Sequence, residues 1–217
     1  METIAFILHN LPAIGERTLE HISIVSVAVG IAIVTGVPIG IAITHSQRAA
    51  DTVLYLGSIV MTIPSIALFG VLIPLLSKIH QGIGYLPAVI AAMLYAQLPI
   101  VRNTYTAIRN LDPALRSAAI GMGMSPTQRL WRVEIPIAMP VIIAGVRIAV
   151  VINIGVTAIA AYIGAGGLGT FISRGISQTD VRQLLTGALT LALLAIAADY
   201  ALLWLQLRLA PKGMARA

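Results

Sequence analysis

Glycines in the stretch AAYIGAGGLGTF, residues 160–171, have a spacing that could bind a dinucleotide. Gly164, Gly166 and Gly169 satisfy the pattern G-x-G-x-x-G, in which the backbone approaches a pyrophosphate at the start of a helix. That chemistry requires a short buried strand before the glycines and an acidic residue about twenty positions after them. Here a long uncharged segment comes first, and residues 184–189 contain no acid. The sequence therefore excludes a nucleotide-binding turn.

The composition of the chain is that of a membrane protein. It has 217 residues, 58% of them hydrophobic and 10% charged, whereas soluble domains carry roughly 25% charged residues. A helix needs about 20 apolar residues to cross the hydrocarbon core. Intervals of that length without Lys, Arg, Asp or Glu occur at 22–47, 52–77, 79–101 and 148–173. A fifth candidate, 183–207, is interrupted only by Asp199. We predict an all-α integral membrane protein of five transmembrane helices, with residues 1–217 forming a single domain.

Side chains that bind metals or nucleic acids are scarce. The chain has no cysteine, and His45 and His80 have no companions at metal-ligand spacing. The net charge is +6, yet no basic face or aromatic platform accompanies it. We attribute the charge to loops on the cytoplasmic side, which are enriched in Lys and Arg in membrane proteins. We expect no metal site, no catalytic residues and no nucleic-acid partner.

The distribution of Lys and Arg predicts the orientation in the membrane. One side receives nine basic residues, namely Arg48, Arg102, Arg109, Arg116, Arg129, Arg132, Arg208, Lys212 and Arg216. The other side receives four, namely Arg17, Lys78, Arg174 and Arg182. Because cytoplasmic loops carry the excess, we predict a cytoplasmic C-terminus and an N-terminus outside.

Apolar residues repeat at helical spacing near the N-terminus, at Ile4, Ile7, Leu8, Leu11 and Ile14. This pattern fits a helix that lies in the membrane interface. It fits equally the beginning of the first span.

The predicted orientation places the glycine-rich loop, 164–182, outside the membrane. Gly164, Gly166, Gly167 and Gly169 follow one another closely, with Gly175 beyond them. Irregular backbone at membrane depth is tolerated where protein surrounds it or where it lines a cavity. The run is therefore either a moving external gate or a passive tight turn.

The long connection between the third and fourth spans is rich in helix signals. Asp112 and Pro113 are an N-cap and a first helical residue. Leu115, Ala118, Ala119 and Met122 would give that helix one apolar face, and Gly121 and Gly123 would end it. Ser125, Pro126 and Gln128 form a capping box that starts a second helix. Pro136 and Pro140 would stop that helix and start the next span. Two short ordered helices at the cytoplasmic mouth are typical of a docking site for another protein.

The segment SAAIGMGMSPTQRLWRVEIP, residues 117–136, resembles the EAA loop of binding-protein-dependent ABC importer permeases. That pattern is E-A-A, three residues, Gly, nine residues and I-x-L-P. The residues in register are Ala118, Ala119, Gly123, Val133, Ile135 and Pro136. Ser117 stands where the family usually has Glu.

Other segments are similar to the branch of this family that imports glycine betaine, choline and carnitine. They are TIPSIALFGVLIPLL (62–76), LPIVRNTYTAI (98–108), VINIG (151–155) and IGAGGLGTFI (163–172). Methionine, phosphonate and sulfonate permeases share the EAA loop and a similar glycine run. The resemblance implies a MetI-like permease core in a bacterial inner membrane, with residues 102–136 as its cytoplasmic coupling loop.

The resemblance also implies the partners. Two separate ATPase subunits would bind ATP and Mg and grip the coupling loop through Ser117, Ala118, Ala119, Gly121, Gly123, Pro126 and Pro136. A second permease chain, identical or related, would complete the pathway within the lipid bilayer. An external binding protein would deliver the solute. This chain has no G-x-x-x-x-G-K-[ST] sequence and would bind no cofactor itself.

Residues at the centres of the second and fourth spans are candidates for the path of the solute. They are Met61, Thr62, Pro64, Ser65, Asn153 and Thr157. Pro64 would break its helix and free a carbonyl, although small and polar residues also serve as packing between helices. Arg147 and Asp199 lie at matching depth, so we expect a structural ion pair between them.

Two other functions compete with an ABC permease. A secondary transporter would show inverted repeats and several functional intramembrane acids, whereas no convincing repeat occurs and Asp199 is the only such acid. A membrane scaffold without transport would leave the ordered coupling loop without a mechanical role.

Overall fold

The computed structural model describes residues 2–209. These residues are helical and contain no β-strand. The helices are α1 (Glu2–His9), α2 (Leu11–Ala42), α3 (Gln47–Thr62), α4 (Ser65–Ser77), α5 (Tyr85–Arg109), α6 (Pro113–Gly121), α7 (Pro126–Arg129), α8 (Ile135–Ala160), α9 (Gly169–Ser177) and α10 (Val181–Leu209). Short 3-10 turns follow α2 and α8, and a π-helical turn, Leu130–Glu134, joins α7 to α8.

The central helix is α5, which packs against α2 on one side and α8 on the other. Small residues allow this close approach. A Cβ added at Gly40 of α2 would lie 2.6 Å from the Thr104 Cβ of α5, and one at Gly145 of α8 would lie 2.6 Å from the Asn103 Cβ. In a membrane the hydrophobic effect does not drive helices together, because lipid tails are as apolar as the side chains. Close van der Waals packing stabilises the helix pairs instead. The glycines thus set the spacing of the bundle.

Five spans are present if the bent pair α3–α4 is taken as one. The other four run over Leu11–His45, Tyr85–Arg109, Pro126–Ile163 and Val181–Leu209. In the first, third and fourth spans the helix does not have the bounds of the predicted charge-free interval. Each of these helices continues through charged residues that limited the interval. In α2 an ion pair between Arg17 and Glu20, with nitrogen and oxygen 2.8 Å apart, allows the helix to begin before the charge-free interval.

The fourth span is helix α8, which begins at Ile135 and ends at Ala160. Its start agrees with the prediction that Pro136 and Pro140 begin this span, whereas the charge-free interval 148–173 lies too late in the chain. The predicted pair of Arg147 with Asp199 of α10 is present inside this helix. The chain then turns at Gly164 and forms α9 within the segment that was predicted as a glycine-rich loop.

Helix α9 packs closely on α10, whose first turn is capped by Asp180. The Asp180 carboxylate accepts a hydrogen bond from the Arg182 backbone N–H at 3.0 Å. The hydrogen bond from the Arg182 side chain lowers the pKa of Asp180 from its ordinary 3.8 to about 2. The cap is therefore charged at neutral pH, which suits the N-terminus of a helix.

At the N-terminus, α1 is a separate helix and not a frayed beginning of α2. Asn10 stands between the two helices, and its side-chain nitrogen donates to the Phe6 carbonyl at 2.8 Å. Helix α1 packs mainly against α10. Its position in the membrane interface stays a prediction.

The second span breaks at Ile63 and Pro64, where α3 and α4 meet at 97°. Ile63 has an extended backbone, with φ −71° and ψ 123°, as expected for a residue that precedes proline. The predicted break is thus confirmed. Two of the backbone carbonyls at the break have hydrogen-bond partners, however. The Val60 carbonyl accepts from the Ile63 N–H at 3.3 Å, and the Ile63 carbonyl accepts from the Tyr95 hydroxyl of α5.

The hydrogen bond from Tyr95 should stabilise the bend. Tyr95 is 6% exposed, so Tyr95→Phe would leave the Ile63 carbonyl without its partner. We expect a loss of about 1–2 kcal/mol in the free energy of unfolding, measured by thermal or denaturant unfolding in detergent. Tyr55→Phe is the control, since Tyr55 is 68% exposed. Equal stability of the two variants would contradict this role.

Candidate functional site

Helix α6 begins and ends as its sequence predicts. The Asp112 carboxylate accepts from the Ala114 N–H at 2.8 Å. At the other end Gly123 has a φ of +75°, a conformation that favours glycine. The Gly123 N–H donates to the Ile120 carbonyl at 2.9 Å, and the Met124 N–H donates to the Ala119 carbonyl at 3.1 Å. This closing pattern satisfies the last carbonyls of the helix.

The capping box at the start of α7 is present as predicted. The Ser125 hydroxyl accepts from the Gln128 N–H at 3.3 Å, and the Gln128 side chain accepts from the Ser125 N–H at 3.0 Å. The end of this helix was predicted wrongly. Pro136 does not stop it, because the π-helical turn before Pro136 carries the chain directly into α8. A π turn changes the hydrogen-bond register, and proline is tolerated in the first turn of the helix that follows.

A buried carboxylate that the sequence analysis missed joins the coupling segment, residues 112–136, to the bundle. Glu134 is 5% exposed. The Arg129 Nε donates to the Glu134 Oε1 at 2.9 Å, and the Arg116 Nε lies 3.1 Å from the same oxygen. Arg116 also donates to the Ile108 carbonyl of α5 at 2.6 Å. Glu134 therefore ties α6 and α7 to the start of α8, and Arg116 extends this cluster to α5.

The outer surface of the coupling segment presents several small and large apolar residues. Ser117, Ala118, Gly121, Gly123 and Pro126 are exposed, whereas Ala119 is buried against the bundle. The predicted apolar face of α6 is thus divided, with only Ala119 turned inward. The large apolar side chains that remain exposed are Leu115, Ile120, Met122 and Trp131. An exposed apolar cluster with a basic rim is typical of a protein-binding surface.

At the opposite end of the bundle, the glycine run is packed against α2 and α8. Gly164, Gly166 and Gly167 have φ between 76° and 80°. The Gly167 N–H donates to the Glu20 Oε2 at 2.8 Å. A Cβ added at Gly169 would lie 2.0 Å from the Ala158 carbonyl oxygen. In this conformation the run is a tight turn, fixed by contacts with α2 and α8. Its movement as an external gate stays a prediction.

Two further side chains at this end were not found from the sequence. Glu20 holds both Arg17 and the glycine run. His21 is fully buried, and its Nε2 lies 3.1 Å from the Ile154 carbonyl. The Arg17–Glu20 spacing of three residues was the available signal, since such pairs share a helix face.

The predicted path residues separate into two groups. Met61, Thr62, Pro64 and Ser65 surround the bend of the second span, where Thr62 and Pro64 are exposed. Asn153 and Thr157 are buried inside the single chain, at 0% and 1% exposure. Asn153 donates to the Ala149 carbonyl of its own helix at 2.8 Å. The structure therefore does not bring the two groups together on one open surface.

Arg147 and Asp199 are paired, as their matched depths predict. The Arg147 Nη2 donates to the Asp199 Oδ2 at 2.8 Å, and Nε donates to the other carboxylate oxygen. The pair joins α8 to α10. Within residues 2–209 no group of three His, Cys, Asp or Glu side chains could hold a metal ion.

Residues 32–212 match the family of binding-protein-dependent transport system inner membrane components. The chain belongs to this family. It is therefore a multi-pass transport component of the inner membrane and not a catalytic subunit.

Curated relatives match nearly the whole chain. The osmoprotectant import permease protein OsmW of Salmonella typhimurium is 53% identical, over 99% of this chain and 100% of its own length. The choline transport system permease protein OpuBB of Bacillus subtilis is 38% identical, over 92% and 90%. The carnitine transport permease protein OpuCB of Listeria monocytogenes is 40% identical, over 96% and 92%.

A solved structure shares the fold. In the MetNI methionine ABC transporter, in inward facing conformations, a chain matches with a TM-score of 0.83 at 22% identity. The match covers 91% of this inner membrane component and 96% of that chain. The arrangement of helices is thus that of known ABC permeases.

The Glu134 cluster predicts a specific loss of stability. In Glu134→Gln two guanidinium groups would stay close together without their anion. We expect a loss of about 2–3 kcal/mol in the free energy of unfolding, somewhat below the range for fully buried pairs because both arginines are partly exposed. Unfolding in detergent measures it, with Glu16→Gln as the control because Glu16 is exposed. Identical unfolding curves for the two variants would disprove the role of the cluster.

Proposed function

We propose that this chain is the permease subunit of an ATP-driven importer of osmoprotectants, such as glycine betaine, choline and carnitine. One observation carries the proposal. The coupling segment is capped at both helices, tied by Glu134 to the bundle and carries exposed apolar side chains on its outer face. It is a stiff docking surface at the arginine-rich end, and the names of the relatives supply the class of solute.

The coupling segment is suited to transmit force from a separate ATPase subunit. That subunit would bind ATP and Mg and contact the exposed residues of α6 and α7, including Ser117, Ala118 and Gly121. Helix α7 continues into α8 through the π turn, and Glu134 holds Arg116 and Arg129 against this junction. A push on the coupling segment would therefore move α8, and the ion cluster would keep α6 and α8 moving together.

The opposite end of the bundle is suited to act as the external gate. The glycine run is held by the bond between Gly167 and Glu20, and Gly84 of the neighbouring connection donates to the Ile163 carbonyl at 2.9 Å. Opening toward an external binding protein would break these contacts. A second permease chain, identical or related, would supply the other half of the pathway.

Solute recognition falls mainly to the binding protein. A quaternary ammonium group binds best over aromatic faces, and only 5% of this chain is aromatic. The residues at the bend, Met61 to Ser65, and the buried pair Asn153 and Thr157 would contribute weak contacts at most. A path of low affinity suits a conduit that must release its cargo.

Reconstitution tests the proposal directly. Proteoliposomes that contain this permease, its ATPase and its binding protein should accumulate radiolabelled glycine betaine, choline or carnitine only when ATP is supplied. Vesicles without the binding protein, or with a nonhydrolysable nucleotide, are the controls. Uptake of methionine, phosphonate or sulfonate instead would assign the related branch. Uptake driven by an ion gradient alone would overturn the ABC mechanism.

Two glycines provide a pair of variants, one inside the coupling segment and one outside it. Gly123→Leu forces a bulky residue into a positive φ, which costs about 1–2 kcal/mol in the turn. We expect stimulation of ATP hydrolysis by loaded binding protein to be lost, while membrane insertion is retained. In Gly15→Ala, near the start of α2, the new Cβ meets no atom within 4 Å and the residue is helical, so coupling should remain normal. Equal coupling in both variants would contradict a mechanical role for this turn.

A further inference from the structure

Two neighbouring cavities lie at the arginine-rich end of the bundle. The larger, about 750 Å³, is a groove between α2, α8 and α10, and all of its lining residues are apolar. The smaller, about 290 Å³, is polar and lies between the end of α2 and the coupling segment. Ile41 lines both cavities, and Leu130 of the polar cavity is followed in the chain by Trp131 of the groove.

The apolar groove is open along the side of the chain. Val34 on its wall is 74% exposed, and Trp131 at its end is 65% exposed. Tryptophan is enriched where the membrane meets water, so the groove extends inward from the interface along spanning helices. Its shape and chemistry suit an acyl chain.

The polar cavity carries positive charge. Arg116 and Arg129 line it together with Glu134, which is the one acid among the described residues that line either cavity. Glu134 directs a single oxygen, Oε1, at both arginines. One guanidinium charge is therefore left in excess, and an anion would balance it. Basic residues beside the end of a spanning helix attract anionic lipid head groups.

We propose that the two cavities together bind one anionic glycerophospholipid, with its phosphate at Arg116 and Arg129 and an acyl chain in the groove. The lipid would fill the gap between α2, α8 and α10 and neutralise the excess charge beside the coupling segment. This site does not depend on which solute the permease carries.

Trp131 provides a direct reporter of the site. The chain has two tryptophans, so Trp204→Phe leaves Trp131 as the only one. The purified full-length chain would be placed in nanodiscs of phosphatidylcholine that contain increasing amounts of phosphatidylglycerol with brominated acyl chains, which quench nearby tryptophan. Brominated phosphatidylcholine is the parallel titration. A control chain has both tryptophans replaced by phenylalanine and carries Val27→Trp on α2, at a partly exposed position outside the groove.

We expect half-maximal quenching of Trp131 at about fivefold less brominated phosphatidylglycerol than brominated phosphatidylcholine. A factor of about five in affinity is what one favourable contact between an arginine and an anionic lipid provides. The tryptophan at position 27 should show no preference. Arg129→Gln should remove the preference at Trp131, and Val34→Phe should weaken quenching there by filling the groove. Circular dichroism would establish that each variant is folded.

Equal quenching of Trp131 by the two lipids would overturn the head-group assignment. Absence of quenching at Trp131, with normal quenching at position 27, would mean that protein covers the groove, and this would overturn the whole proposal. An unfolded Arg129→Gln chain would leave the comparison of lipids and the Val34→Phe variant to decide.

Discussion

The Glu134 carboxylate is the interaction on which the coupling segment depends. A charge with 5% exposure is stable only when cations compensate it, and Arg116 and Arg129 reach it from two different helices. The cluster therefore fixes the relative positions of α6 and α7 as well as neutralising a charge. Ser117, at the position where related permeases usually have Glu, is exposed and takes no part. The acid that organises this segment lies instead at its far end, where α8 begins.

Local chemistry explains what could be predicted from the sequence. Asp112, Ser125 and Gln128 act on backbone groups within three residues of themselves, so both caps are readable from short patterns. The break at Pro64 likewise follows from one ring that lacks an N–H. The number of spans follows from the charge-free apolar intervals. The resemblance to ABC permeases follows from the sequence of the coupling segment.

Partners that are distant in the chain explain what could not be predicted. Glu20 accepts a hydrogen bond from the Gly167 N–H, 147 residues later, and no local sequence pattern predicts that contact. The hydrogen bond from the Tyr95 hydroxyl to the Ile63 carbonyl could not be foreseen either. In each case the missing information was which helices are neighbours.

The π turn between α7 and α8 has a consequence for how this segment can vary among relatives. A turn of this type holds one residue more than an ordinary helical turn, and each residue of an α-helix rotates the chain by about 100°. Loss of a single residue from Leu130–Glu134 would leave the helix continuous and would swing α6 around the axis of α8. The number of residues in this turn thus sets the direction in which α6 and α7 face relative to the axis of α8.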